Sequence, residues 1–235
     1  MELIFREDAY AKSCSATVTS VDERGIRLDR TVFYPNGGGQ PGDTGVLRFA
    51  GGEVRVVDTV KGNGIDDVLH VPEPGATLPA PGTAVDAEID WDRRHRHMRM
   101  HTALHLVCAV LPGASITGAQ VGAERSRVDF NLPAEALDKD GIAAALNRLI
   151  AADTPVGSIW ITDEELDAKP DLIRTLTVKP PRGYGRVRLV DIAGIDLQPC
   201  GGTHVARLGE IGTLEVLKID NKGKQNRRVV VALKD

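Results

Sequence analysis

Residues 91–111 read WDRRHRHMRMHTALHLVCAVL, a run without Gly or Pro that stops at Pro112 and Gly113. A run of that length closed by those two residues predicts a helix, with Asp92 as its N-cap. His101 and His105 stand four residues apart, which puts both imidazoles on one helix face about one turn, or ~6 Å, apart and within reach of one ion. His97 lies four residues before His101, and Cys108 three after His105. They cannot all serve one ion, because His97 to His105 spans roughly 12 Å of helix and His101 to Cys108 roughly 10.5 Å. Only one adjacent pair can bind. Cys108 is read as a buried apolar residue beside Leu104, Val107 and Leu111, and His95 and His97, among four arginines, as part of a solvated basic face.

The sequence changes character on either side of this run, which places a domain boundary near residue 90. Before it, SATVTSVDE, GIRLDRTVFY, TGVLRFA, EVRVVDTV and AVDAEID alternate with Gly- and Pro-rich turns, the pattern of a small antiparallel β-barrel over residues 1–90. HVPEPGATLPAPG, residues 70–82, reads as a loop. After it, strand SRVDFNL, a helix through GIAAALNRLIAAD and a short helix TDEELDAK with a Thr162/Glu165 capping box come first. Strands GRVRLVDI, IGTLEVLKI and RRVVVAL follow. Mixed elements of this kind predict an α+β domain with an antiparallel sheet over residues 91–235.

A second pair of metal ligands lies in QPCGGTH, residues 198–204. Pro199 precedes Cys200, and Gly201 and Gly202 help separate it from His204, so these two sit on a tight loop. A helix pair and a loop pair together offer His101, His105, Cys200 and His204, the donors zinc prefers. Four protein ligands would saturate a tetrahedral ion, whereas catalytic zinc keeps a position open. Either one ligand stays off the metal (Cys200 or His204 first, as loop residues), or the coordination expands, or the ion only organises the site. HTALH has no interior glutamate, so the built-in base of the H-E-x-x-H metalloproteases is missing.

RHMRMHTALHL, followed about a hundred residues later by CGGTHVARLGEIG and KGKQNRR, and preceded by FYPNGGGQPGDTG at 33–45, resembles the editing domain of alanyl-tRNA synthetases and the free-standing AlaX-type alanyl-tRNA editing proteins. The order of these segments is also the family's. The resemblance implies a β-barrel followed by an α+β editing domain. It also implies a zinc-dependent deacylase acting in trans on mischarged tRNA(Ala), carrying serine first and glycine second. In place of the aminoacylation domain that the synthetases carry ahead of their editing region, the chain has about ninety residues of β-like sequence, so it is expected to discharge tRNA and not to charge it. Gly38, Gly39 and Gln40 of the glycine block become substrate-binding candidates on the resemblance; read without it, the block is a tight hairpin that could offer backbone amides, the Gln40 amide and the Asp43 carboxylate.

The chemistry explains the need for such an enzyme. A pocket shaped for alanine rejects an isostere that adds a hydroxyl by only ~100-fold, while a second site that requires the hydroxyl discriminates by ~10⁴ or more. Thr117, in SITGAQV, is the candidate hydroxyl partner, with a surface turn beside Gly118 as its plain reading. Asp129, Gln40 and Thr203 could orient water, although Asp129 reads better as a strand carboxylate paired with Arg127 or Arg125. Zinc could polarise the ester carbonyl, activate water or position either.

Composition agrees. The 235 residues are 42% apolar, enough for a sizeable core. No apolar run approaches the ~20 residues of a membrane span, and MELIFREDAY lacks the basic and apolar regions of a signal peptide. Three cysteines make no disulfide framework and fit a reducing, cytoplasmic setting. With 29 basic and 33 acidic residues, the chain lacks a global nucleic-acid signature, leaving RRHRHMR, KPPRGYGRVR and KGKQNRR as local phosphate contacts. Two other classes fit the same residues: a zinc hydrolase of another ester or amide, and a non-catalytic RNA-binding module with structural zinc.

Overall fold

A computed structural model of the chain describes residues 1–64, 66–132, 137–176 and 185–234, which divide into two compact units, Met1–His97 and Met98–Asp235. The first unit contains β1 (Glu2–Leu3), β2 (Ser13–Asp22), β3 (Gly25–Leu28), β4 (Arg30–Thr31), β5 (Gly45–Phe49), β6 (Gly52–Lys61), β7 (Val68–Pro72) and β8 (Ala84–Ile89). Six of these close an antiparallel barrel in the order β2-β3-β7-β6-β5-β8, with β8 returning to pair β2. Alternation drives the closure. In β8, Val85, Ala87 and Ile89 point into a core shared with Val18, Leu28, Phe33, Leu47, Val54 and Val56, while Ala84, Asp86 and Glu88 face out. The stretch read as a loop from residue 70 begins with the last three residues of β7, whose HVP carries too short an alternation to stand out beside the prolines that follow.

Helix α1 (Trp91–Val110) starts one residue after Asp90, whose carbonyl and carboxylate accept the amides of Arg94 and Arg93 at 3.0 and 3.3 Å. Asp90, not Asp92, therefore caps it; Asp92 lies in the first turn. The basic face is also less solvated than its composition suggests. His97 is buried, and Arg94 is fully buried, donating to the Ala9 and Val32 carbonyls and pairing with the buried Asp43. His95 stacks on Trp91 at 5.3 Å. Asp43 also accepts the Tyr34 amide at 2.6 Å, so its carboxylate is committed to the barrel rather than offered to a ligand.

In the second unit, α1 presents buried side chains nearly all round from Met98 to Cys108, as a helix enclosed by its own domain must. Cys108 is 3% exposed, the small apolar residue expected. The strands β9 (Ser115–Gln120) and β10 (Arg125–Asn131) precede α2 (Lys139–Ala151), then β11 (Val156–Ile161) and α3 (Asp163–Asp167). After them come β12 (Val187–Ile192), β13 (Asp196–Pro199), β14 (Leu214–Asn221) and β15 (Asn226–Leu233). They form two antiparallel sheets, β14-β15-β10-β9 and β11-β12-β13. Helix α2 buries Ile142, Leu146 and Ile150, one stripe at four-residue spacing, and Asn147 exchanges hydrogen bonds with the Leu214 backbone at 2.7 and 3.0 Å. The Thr162/Glu165 capping box opens α3 as expected. Much of KPPRGYGRVR, residues 179–184, lies outside the described residues. The α+β class and the N-terminal barrel are both as the sequence implies.

His70 sits inside the barrel with no exposure. Its Nδ1–H donates to the Ile26 carbonyl at 2.9 Å, leaving Nε2 to accept from the Thr31 hydroxyl at 2.7 Å. Burial, against the pull of the Ile26 carbonyl, lowers its pKa to about 4. An unfolded histidine titrates near ~6.5, so between these values protons bind the unfolded chain preferentially. Stability is whole above ~6.5, falls as the pH drops, and levels off below the folded value. From pH 7 to pH 5 this side chain should remove about 2 kcal/mol. His70→Gln, whose amide can serve both partners without titrating, should lack that share. Urea unfolding of both proteins at the two pH values measures it, and equal losses would show that His70 does not titrate in this way.

Candidate metal centre

The four predicted ligands meet. The donor atoms of His101, His105, Cys200 and His204 all lie within 4.8 Å of one another, with the three histidines buried and Cys200 half-buried. Helix α1 delivers the first pair at its one-turn spacing, their rings 5.7 Å apart. Cys200 follows directly on β13 and continues its ladder, its amide donating to the Arg188 carbonyl at 3.1 Å. The chain turns through Gly201 and Gly202 and returns His204 to the cluster. Cys200 Sγ lies 3.5 Å from His101 Nε2 and 3.3 Å from His204 Nε2. A tetrahedral ion bonded at ~2.0–2.3 Å requires donor separations of roughly 3.3–3.6 Å. These residues fit such an ion.

Outer residues fix which ring nitrogen faces inward. Asp196 accepts from His105 Nδ1 at 2.8 Å, and Gln198 donates to the same carboxylate oxygen at 2.7 Å. The Thr102 hydroxyl gives its proton to the Met98 carbonyl at 3.0 Å, so toward His204 Nδ1, at 3.1 Å, it can only accept. Both contacts engage Nδ1 and turn Nε2 toward the cluster; that of Asp196 with His105 is the carboxylate–histidine arrangement that orients ligands elsewhere. Arg188 donates to the Cys200 and Gly202 carbonyls at 3.1 Å each and holds the loop. Thr102, Arg188, Asp196 and Gln198 were not among the residues singled out from sequence. The two-residue step from Asp196 to Gln198 to Cys200 in DLQPC was the available signal, since it puts all three on one strand face.

Without an ion, electrostatics favour the ligating forms of Cys200 and His204 and the protonated form of His105. Burial alone would raise the Cys200 thiol, yet the neighbouring His101 and His204 hold it well below its ordinary value. Burial, reinforced by repulsion from His101, takes His204 down to about 3. Burial also opposes charge on His105, but Asp196 and Cys200 outweigh it and raise that ring to about 9.

Residues 187–230 match the model of the threonyl and alanyl tRNA synthetase second additional domain, and residues 6–93 match that of the class II (A) tRNA synthetases. The whole chain is 41% identical, over 99% of its relative's length, to alanyl-tRNA editing protein AlaX-M of Methanosarcina acetivorans. The AlaX-M protein of Saccharolobus solfataricus is 35% identical over 99% of both chains. The chain belongs to the AlaX-type alanyl-tRNA editing proteins. It is also 38% identical to an alanine–tRNA ligase of Pyrobaculum neutrophilum, of which it spans 25%.

The other site candidates from the sequence are distributed over both units of this AlaX-type chain. Gly38 and Gly39, both at positive φ (58° and 82°), make a two-residue turn closed by paired bonds between Gly37 and Gln40 at 3.0 and 3.1 Å, the geometry of a type I′ hairpin. Tyr34 donates its hydroxyl to the Gly37 carbonyl at 2.7 Å, and Gln40 is fully buried; all belong to the first unit. Thr117 belongs to the second unit, where it is not in a surface turn but in β9, at a register shift between Phe130↔Ile116 and Asp129↔Gly118. Asp129 accepts from Arg127 at 2.5 Å and from Arg228 at 2.7 and 2.8 Å, a strand carboxylate held in ion pairs. Thr203, next to His204, is 1% exposed.

The orienting role of Asp196 is directly measurable. Asp196→Asn keeps the shape of the side chain but removes the charge behind His105, and should weaken metal binding roughly 10- to 100-fold. Competition with a chromophoric chelator gives the affinity. An unchanged value would show that the negative charge behind His105 contributes nothing to the metal's affinity.

Proposed function

We propose that this chain is a trans-acting deacylase that hydrolyses mischarged tRNA(Ala), with Ser-tRNA(Ala) as its main substrate and Gly-tRNA(Ala) as its second, at a zinc site formed by His101, His105, Cys200 and His204. The observation that carries the reading is the convergence of three histidine nitrogens and one thiol within 4.8 Å of one another, with the sulfur 3.5 and 3.3 Å from two of the nitrogens. Full-length relatives named for alanyl-tRNA editing give it a substrate. Nitrogen and sulfur donors at this spacing suit zinc better than the oxygen-seeking divalent ions.

In the reaction, water adds to the ester carbonyl carbon, the bond to the ribose oxygen breaks, and the amino acid leaves as a free acid while the hydroxyl returns to the tRNA. Zinc, when bound, supplies a Lewis acid to that carbonyl or to the water. The protein's part is positioning. Asp196 and Thr102 fix two imidazoles, Arg188 fixes the Cys200–His204 loop, and half-buried Cys200 is the ligand nearest solvent. Thr117 is assigned to the serine hydroxyl, a role supported by its place at a β-bulge, where strands re-aim side chains beside active sites. Gly38, Gly39 and Gln40 are assigned to substrate discrimination on the family resemblance.

The tRNA backbone is assigned to the open face of the β14-β15-β10-β9 sheet. There Arg125, Arg127, Lys218, Lys222 and Arg228 surround an open cavity of about 350 Å³ with Asp220 the acidic residue in its lining. A cluster of cations on a chain of net charge −4 marks where a polyanion would land. In Arg125→Glu/Lys222→Glu, the slope of log affinity for tRNA against log salt should fall by about one for each cation lost. An unchanged slope would move the backbone contact elsewhere.

Release of labelled serine from Ser-tRNA(Ala), beside Ala-tRNA(Ala), by zinc-loaded protein tests the main reading. The wild type should release serine selectively, and His101→Ala/His105→Ala should not. A loaded wild type that binds tRNA without turnover would instead support the RNA-binding module with structural zinc, the reading that the saturating four-ligand set also fits.

A further inference from the structure

We infer that Trp160 and Arg186 form a stacking platform for the terminal nucleobase of the RNA whose ester reaches the metal centre, an inference that rests on the proposed deacylase reading. Strand register places Trp160 in line with the cluster. Trp160 on β11 pairs with Arg188 on β12, and Arg188 in turn faces Cys200, as the step beyond Leu189↔Pro199 in an antiparallel ladder. The three residues therefore lie in one row across three strands, and residues in register share a face of the sheet. That face is the metal's, because Gln198 and Asp196, two and four residues before Cys200, reach His105 from it. Two strand spacings separate the Trp160 and Cys200 backbones, roughly 10 Å in all. This is about the span of one nucleoside, the distance between an ester on a ribose hydroxyl and the base of the same residue.

The chemistry of the pair suits a base. Arg186 lies over the Trp160 ring at 4.4 Å from its centroid. The indole is half-buried at the edge of the sheet and the arginine is exposed, which leaves a planar cation over a planar aromatic at the surface. Such pairs bind unpaired bases through their π-faces, with little demand on sequence. A hydrolase acting at the last nucleotide of a single-stranded end needs this: a hold on the base that sets the ribose, and with it the ester, over the ligand cluster. Trp160 lies outside the packed cluster of Leu166, Val187 and Leu189, which occupies the opposite face, so its position is not explained by that core.

The test reads the base directly. The chain has two tryptophans, so Trp91→Phe leaves Trp160 as the reporting indole. Titration of that protein with the trinucleotide CCA should quench its fluorescence saturably, while the dinucleotide CC should not. In deacylation assays, Trp160→Ala and Arg186→Ala should each raise KM for Ser-tRNA(Ala) roughly ten-fold with little change in kcat, and Trp160→Phe should keep most of the affinity. Arg186→Ala alters an exposed side chain and guards against a folding defect in Trp160→Ala. Absence of quenching by CCA, or an unchanged KM in both alanine variants, would overturn the platform. Absence of turnover by the wild type would sink the deacylase reading alone, because the titration would still decide whether Trp160 stacks a base.

Discussion

Four donor atoms drawn from two segments about a hundred residues apart must meet at one point, and the arrangement of the second unit follows from that constraint. Bringing such segments together costs loop-closure and side-chain entropy before any ion contributes. The Thr102 hydroxyl answers much of it locally. It ties the Met98 carbonyl, the Val205 amide and the His204 ring within 3.0–3.3 Å, so the helix carrying one ligand pair is bonded to the loop carrying the other. Asp196 closes the other side by holding His105 from β13. The site is thus framed by a helix and a sheet, with only Gly201, Gly202 and Thr203 left as loop between two of its ligands.

That framing decides what the site can do. A ligand set on a mobile loop could adapt to several metals, whereas rings locked at Nδ1 present fixed Nε2 lone pairs, and preorganised donors favour one geometry over another. The same fixity creates a difficulty for catalysis, since four protein donors leave a tetrahedral ion no vacancy. Cys200 is where the tension can relax. It is the half-buried member of the set, and its loop is held through backbone carbonyls by Arg188 as well as by the Gly202 amide, which donates to its sulfur at 3.5 Å. A shift at Sγ would leave the Arg188 clamp and the three histidines in place.

The pairs His101/His105 and Cys200/His204 were legible because helix and turn spacing brings the members of each pair together, although spacing alone also admitted His97 and Cys108. His101 and His105 must share a face if residues 91–111 are helical, and Pro-Cys-Gly-Gly must turn. The barrel was legible for a similar reason, as β8 alternates without a break. What stayed hidden depended on partners distant in the chain. Arg94 looks solvated beside three other arginines, but Asp43, 51 residues earlier, lets it be buried. Strand β11 escaped notice because Gly157, Ser158 and Ile159 are all exposed, so the two-residue period that betrays a half-buried strand is absent. Thr117 reads as a turn beside Gly118, yet β10 draws it into a strand with a bulge.

Charge completes the division of labour. The whole chain is mildly acidic, so its long-range field does not attract RNA generally. On the open sheet face the acidic groups are consumed locally: Asp129 is shared by Arg127 and Arg228, and Asp220 pairs with Lys218 at 2.8 Å. These pairs are partly exposed and contribute little stability, but they fix the guanidinium planes in place, so that cations which would otherwise sample many rotamers are presented together. An acidic chain with an ordered basic face of this kind gains orientation rather than affinity from its charge. For the deacylase proposed above, which would have to find one ester at the end of a long polyanion, that is the more useful property, because a uniformly basic surface would hold RNA in many registers and present the ester in few of them.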